Sequence, residues 1–460
     1  MLWAGFISLL SAAWGQTAAP SLSFARYGVE DGLSQVSVNA LLQDNQGFLW
    51  VGTNQGLNRY DGYTFRQYRQ DGQHGPSHDH IQALHQDQAG LIWVGTANGL
   101  SCYDPRRDAW HHFRYAAADS SGLVHYDVYS LFEDRQQRLW IGTGVGFCQL
   151  IRAGSDPANW TFQQWKPQAG PESHMGPGVS VHAFAQDSLG DLWLAMTSRV
   201  EDGTPRGDGV LLRFSPEAQT FHLYDEAKSG LPDREVRALL LDRQHRLWLG
   251  GTQAGLMRLT HADPPAFESY PIGGQGGLAH GMVMTLYEDS QGSLWIGSYG
   301  GLSCLPQGKG SVFTSYQWPD PQGIPQDFGA VKAVVQDRSG VLWVGAEKGL
   351  FKGLRIDNSF HQLSPQSPPG QQLIGGDIFG ILAHSSGEVW AGSYQAGLNR
   401  LQPQPDGSIQ VERIAPGAGP EQIPISTILD LQEDAQGHIW VSSFEGLLRI
   451  IPARISGEAR

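Results

Sequence analysis

The 460-residue chain is poor in charge and in cysteine, and each shortage excludes something. Charged residues make up 17% of it and the net charge is −14, with no basic run anywhere. An acidic surface repels phosphate backbones, so nucleic acid is not an expected partner. After the N-terminus no stretch approaches the ~18 consecutive apolar residues of a membrane-spanning helix. The three cysteines, Cys102, Cys148 and Cys304, fall in separate stretches of sequence. Bridging them would need Cα atoms within roughly 7 Å, so they read as buried free thiols. There is no Gly-x-Ser-x-Gly elbow, phosphate-binding loop or dinucleotide fingerprint. No spacing of His, Cys, Asp or Glu names a complete metal site, and no cofactor is expected.

The N-terminus has its own character. Leu2 to Leu10 is apolar, and Ala13-Trp14-Gly15 places small residues at a cleavage spacing. Residues 1–19 therefore read as an export signal, although no Lys or Arg precedes the apolar run. The remainder, 20–460, is expected in the periplasm or secreted.

Glycine (59 residues) and aromatics (10%) are abundant, and they recur. Trp50, Trp93, Trp140, Trp193, Trp248, Trp295, Trp343, Trp390 and Trp440 follow one another at intervals of 43 to 55 residues. Each sits in a short strand after a turn led by Asp44, Asp87, Asp134, Asp187, Asp242, Asp289, Asp337 or Asp434, with His384 replacing Asp in the eighth repeat. Asp accepts backbone N–H groups inside such a turn, and Gly at its fourth position supplies the left-handed conformation. The aspartates stand singly, one per repeat, and so read as turn caps rather than calcium ligands. In the first unit, Val38–Asp44, Phe48–Thr53, Leu57–Asp61 and Phe65–Tyr68 read as four antiparallel strands. Short strands at this period make an all-β protein, a β-propeller of nine four-stranded repeats. Small residues four positions before the Asp column (Ala40, Ala83, Ser130, Ala183, Ala238, Thr285, Ala333, Gly380) suit the crowded inner strands; Asp430 departs from the column.

Fourth strands are aromatic in most repeats, weaker at Phe360–Leu363 and Ile409–Ile414, and missing after Ile450. Phe24-Ala25-Arg26-Tyr27 matches that missing strand. The expectation is one ring of nine blades in which the N-terminal strand completes the last blade and leaves no open edge. The alternative is seven blades plus two of a second ring.

Loops after the second and fourth strands open on one face and are long there, including 166–179 and the insertion 198–208. This is the expected binding face. The polar residues entering the inner strands, Asp79, His80, Tyr126, Asp127, Arg234, Glu235 and Asp377, are the candidate ligand-binding set at the channel mouth.

The core Gln43-Asp44-Asn45-Gln46-Gly47-Phe48-Leu49-Trp50-Val51-Gly52-Thr53, continuing through Gly56-Leu57 to Tyr60-Asp61-Gly62, resembles the two-component regulator propeller repeat. So do 86–104, 288–304 and 433–449 and the lead-in Asp31-Gly32-Leu33-Ser34. The resemblance implies a periplasmic sensor region of a hybrid two-component system, non-enzymatic, binding a small ligand such as an oligosaccharide. It also implies a homodimer or a membrane sensor partner. The chain as given carries no kinase or membrane helix, and fourteen repeats are usual in the family. The reading from another class is a secreted propeller lyase or hydrolase, with His80 and Glu235 as acid–base candidates. A third is a protein-binding scaffold.

Overall fold

The computed structural model describes residues 19–165, 179–201, 204–206, 211–320, 322–355, 363–367, 369–404, 409–419 and 422–451. All but the last residue of the expected export signal 1–19, the long loop 166–178 and most of the insertion after Ser198 lie outside the described residues. The regular structure among the described residues is almost wholly strand, with a single short α-helix at Glu226–Ser229. Contacts divide the chain into two compact units, Met1–Ile356 and Asp357–Arg460.

In the first unit each repeat forms one antiparallel sheet, inner strand first. Val38–Gln43 pairs with Leu49–Thr53, then Gly56–Tyr60, then Phe65–Tyr68. The tryptophan of each second strand fills the space between neighbouring blades. Trp50, Trp93, Trp140, Trp248 and Trp295 are all but fully buried. At roughly 25 cal/mol per Å², burying an aromatic of ~200 Å² contributes on the order of 5 kcal/mol.

The Asp column does more than cap the turn. In the first repeat Asp44 Oδ1 accepts the N–H groups of Gln46 (2.9 Å) and Phe48 (3.0 Å), while Oδ2 accepts Trp50 Nε1–H at 2.7 Å. The same indole bond recurs from Trp93, Trp140, Trp193, Trp248, Trp295, Trp343 and Trp440 at 2.8 to 3.0 Å. One carboxylate thus ties a turn to the wedge between blades. His384 cannot do this, and Trp390 Nε1 is buried without a partner.

The ring closes at the seventh blade, which corrects the nine-bladed expectation. Leu22–Tyr27 pairs antiparallel with Gly349–Arg355, Leu22 opposite Arg355 and Tyr27 opposite Leu350. The N-terminal strand is therefore the fourth strand of the seventh repeat. Phe360–Leu363, read from sequence as that strand, lies mostly outside the described residues, and Leu363 is not in a strand. Phe24 is buried edge-on against Phe328 (5.0 Å) and Tyr316 (6.0 Å).

Three further contacts continue across this seam as they do between other blades. A glycine of the second strand lets the next blade approach: a Cβ on Gly52 would lie 2.5 Å from Ile81 Cγ2, and one on Gly345 would lie 2.6 Å from Val38 Cγ1. On the opposite face Asn45 N–H donates to Gln86 Oε1 (2.6 Å), Arg135 N–H to Gln186 Oε1 (2.9 Å), and Arg338 N–H to Gln43 Oε1 (2.9 Å). In the channel Lys332 reaches Asn39. Blade seven meets blade one as any blade meets its successor.

The second unit holds the eighth and ninth repeats. Val389–Ser393 and its sheet pack Trp390 against Ile428, Leu431, Ile439 and Val441 of the ninth. Its outer surfaces are apolar and open: Phe379, Ile381, Phe444 and Leu447 are each more than half exposed. Trp440 is only partly buried, unlike its counterparts in the ring. Burial would by itself raise the Asp434 carboxyl, but N–H donors of His438, Gln436 and the Trp440 indole hold it well below the usual range.

Candidate functional site

Every inner strand of the ring carries a bulge at the same point. Val38 pairs with Thr53 and Ala40 with Gly52, so Asn39 has no partner of its own. The same skip isolates Gln82, Tyr129, His182, Arg237, Met284 and Lys332. A bulge re-aims the extra side chain and sharpens the local twist. Here it turns seven side chains into the central channel. They line a cavity of about 630 Å³ together with Asn54, His80 and the small or apolar residues that follow the bulge in blades four to six. That volume lies within the ~300–1,000 Å³ of small-molecule sites.

The lining is polar, and part of it is tied down. Asn39 Nδ2 donates to Asn54 Oδ1 (2.8 Å) and to the Ile81 carbonyl (2.9 Å), while its oxygen accepts Lys332 Nζ at 3.0 Å. Lys332 Nζ also donates to Ser37 Oγ at 3.1 Å. The Gln82 amide, with its nitrogen turned to the two carbonyls, donates to Thr96 O (3.2 Å) and Val128 O (2.9 Å). The Tyr129 and His182 rings lie 4.7 Å apart at 31°.

Charge in the cavity is of one sign. Burial pushes His182 down to about 3, helped by Arg237, so its imidazole is neutral at neutral pH. His80 is also lowered, first by burial and then by His78 and Lys332. Arg237 and Lys332 remain cations; burial lowers both, against the pull of Tyr129 and Glu235 on the first and Glu347 on the second. No Asp or Glu lines the cavity. Among the described residues no three His, Cys, Asp or Glu converge to hold a metal ion.

Of the seven residues singled out from sequence, one lines this cavity. His80 is in the cavity wall. Asp79 is occupied with its loop, its carboxylate accepting Gln70 N–H (2.7 Å) and its carbonyl Gly56 N–H (2.6 Å). The Tyr126 ring lies against His125 at 4.0 Å, and Asp127 donates its own N–H to His125 Nδ1 at 3.1 Å. Arg234 is exposed and reaches Glu226 at 2.9 Å. The Glu235 carboxylate accepts both the N–H and the hydroxyl of Ser198. Asp377 belongs to the second unit, where its carbonyl accepts Tyr394 N–H.

The bulge column was missed, although a signal for it exists. It is the variable position between a constant Val or Ile (Val38, Ile81, Val128, Val181, Val236, Val283, Val331) and the small-residue column.

Comparison with known proteins agrees with this architecture. A model described as two component regulator propeller matches residues 32–55, 75–98, 122–144, 230–253 and 277–300. A curated histidine kinase P4 of Formosa agariphila is 58% identical over 41 residues, 9% of this chain and 3% of that protein. The extracellular domain of the putative hybrid two component system BT3049 from B. thetaiotaomicron superposes with a TM-score of 0.59 at 20% identity. That alignment covers 94% of this chain and 54% of the other. A virginiamycin B lyase from Staphylococcus aureus superposes with a TM-score of 0.52 at 12% identity, over 73% of this chain and 99% of its own. The chain thus spans about half of the first of these structures and a small fraction of the curated relative. At such identities the two superpositions speak for a shared propeller fold. The five matched stretches each run from the lead-in of a blade through its Trp-bearing strand, so the likeness to the two component regulator propeller model lies in the first, second, third, fifth and sixth repeats.

Proposed function

We propose that this chain is the ligand-binding part of an extracytoplasmic sensor, and that the ligand occupies the central cavity of the seven-bladed ring. The observation that supports this most is the bulge column. Seven blades that are nearly alike in their Trp, Asp and Gly differ freely at the bulge position, which faces the channel. A merely structural channel would need no such variety, whereas recognition needs a distinct side chain from each direction. The expected ligand class is a saccharide, whose hydroxyls suit Asn39, Asn54, Gln82, Tyr129 and the neutral His80 and His182. Its occupancy would be passed to a signalling partner. No helix among the described residues is long and apolar enough to cross a membrane.

The test is a melting-temperature screen of the full chain against neutral and acidic oligosaccharides, followed by calorimetric titration of each hit. A hit whose affinity falls on Gln82→Ala or Tyr129→Phe supports the reading. Failure of every saccharide to shift the melting temperature removes it. The same samples, examined by mass spectrometry for cleaved or eliminated ligand, decide the enzyme alternative. Turnover lost in His80→Gln and Glu235→Gln would favour a lyase or hydrolase over a sensor.

A further inference from the structure

Two cations face the cavity, and neither has a counter-charge in its wall. Arg237 lies between Val236 and Ala238 at the fifth bulge and forms no ion pair or side-chain hydrogen bond among the described residues. Its guanidinium offers five N–H donors in a fixed fork. Lys332 stands at the seventh bulge; Asn39 and Ser37 use two of its three donors. The carboxylates that act on these groups lie elsewhere. Glu235 is held by Ser198, and Glu347 is exposed on the connection after the second strand of blade seven. A partly dehydrated cation with unused donors is costly unless a partner arrives.

We infer that the central cavity is an anion site, and that its ligand is a saccharide carrying a carboxylate or sulfate group, with Arg237 as the bidentate partner and Lys332 as a second point charge. This rests on the ligand-binding reading above and deepens it. The division of labour follows from the walls. The guanidinium fork matches the paired oxygens of a carboxylate or sulfate. Asn39 fixes the ammonium group without neutralising it. The tilted pair of Tyr129 and His182 rings gives a neutral face and polar edges for a sugar ring. No negative group is needed from the protein, and none lines the site.

The test uses the full chain and three probes: trigalacturonate, its fully methyl-esterified form, and inorganic sulfate. Binding is measured by calorimetric titration at fixed ionic strength, with wild type, Arg237→Gln, Arg237→Lys and Lys332→Met compared. Melting curves confirm that each variant folds. The expected result is that wild type binds trigalacturonate and that esterification weakens it at least tenfold. Arg237→Gln should weaken it as much, with Arg237→Lys restoring part. Sulfate should compete in wild type and fail to compete in Arg237→Gln. Equal binding of acid and ester overturns the anion inference and leaves a neutral-ligand sensor standing. Sulfate and trigalacturonate binding that ignores Arg237 and Lys332, or no binding of either, also overturns it. If no saccharide of any kind binds but sulfate does so through Arg237, the anion site stands and the saccharide-sensor reading fails.

Discussion

Replacing Asp289 by Asn changes one atom and should cost several kcal/mol. Asp289 is buried; its Oδ1 accepts the N–H groups of Gln291 and Ser293, each at 2.9 Å, and its Oδ2 accepts Trp295 Nε1–H at 2.9 Å. An asparagine that keeps its oxygen on the two amides points its NH2 at the indole N–H. Two donors then face each other without water. An unsatisfied buried donor costs about 1–3 kcal/mol, and the two remaining bonds lose the strengthening of a charged acceptor. The sum is about 3–5 kcal/mol, a large share of the ~5–15 kcal/mol that holds a typical domain together. The assay is denaturant unfolding followed by tryptophan fluorescence, arranged as a double-mutant cycle with Trp295→Phe, which removes the indole donor. The two substitutions should couple by at least about 1 kcal/mol. A midpoint for Asp289→Asn equal to wild type, or strict additivity in the cycle, would show that the carboxylate does not clamp the indole. The eighth repeat offers a natural comparison, because His384 leaves Trp390 Nε1 unbonded.

Closure at blade seven predicts that cysteines placed at Ala25 and Lys352, which face each other across the seam, form a disulfide under mild oxidation. Cysteines at Ala25 and Leu448 should remain reduced; the reverse outcome on non-reducing gels would restore the nine-bladed ring. The native thiols should not interfere, since all three are buried and free, and burial pushes each up to about 12. Gly345→Ala should wedge the same seam against Val38 and destabilise the ring by about 1–3 kcal/mol, read as a lower denaturation midpoint. His182, held at about 3 against an ordinary 6.5, predicts an acid dependence. Between those values the unfolded chain takes up the proton that the folded one refuses. The contribution is therefore complete above pH 6.5 and shrinks as pH falls toward 3. His182→Gln should flatten the stability profile over that window, and an unchanged slope would count against the burial of a neutral imidazole.

The propeller and its blades were legible because their determinants are local. Trp, Asp and Gly recur at fixed distances within a repeat, and each position tells the same story in every blade. Closure is not local. By pattern the fourth strand after Arg355 is weak (Phe360–Leu363) and the one after Ile450 is missing, so Phe24–Tyr27 fitted either edge by pattern alone. What decides between them is the fit of Val38 over Gly345 and of Gln43 to Arg338, pairs about 300 residues apart. The exposed Phe379, Ile381, Phe444 and Leu447 are the counterpart of that choice. At the site, polar residues entering the inner strands were read as ligand-facing, and Asp79 and Glu235 turned out to be engaged with their own loops. The channel positions lie two or three residues further on. The bulge that aims them inward inserts one residue into a period-two strand, so alternation alone assigns them to the wrong side.

The seam strand also sets how the ring would respond to force. Leu22 and Arg355 are opposite one another at the same end of an antiparallel pair of six residues. Tension applied between those two residues would load the hydrogen bonds one after another, from Leu22 toward Tyr27, instead of shearing all of them together. A ladder peeled in sequence yields at far lower force than one that is sheared. The same strand that makes the ring a closed cycle is thus also its latch, and pulling at these two points would open the ring while leaving the other six blade sheets intact.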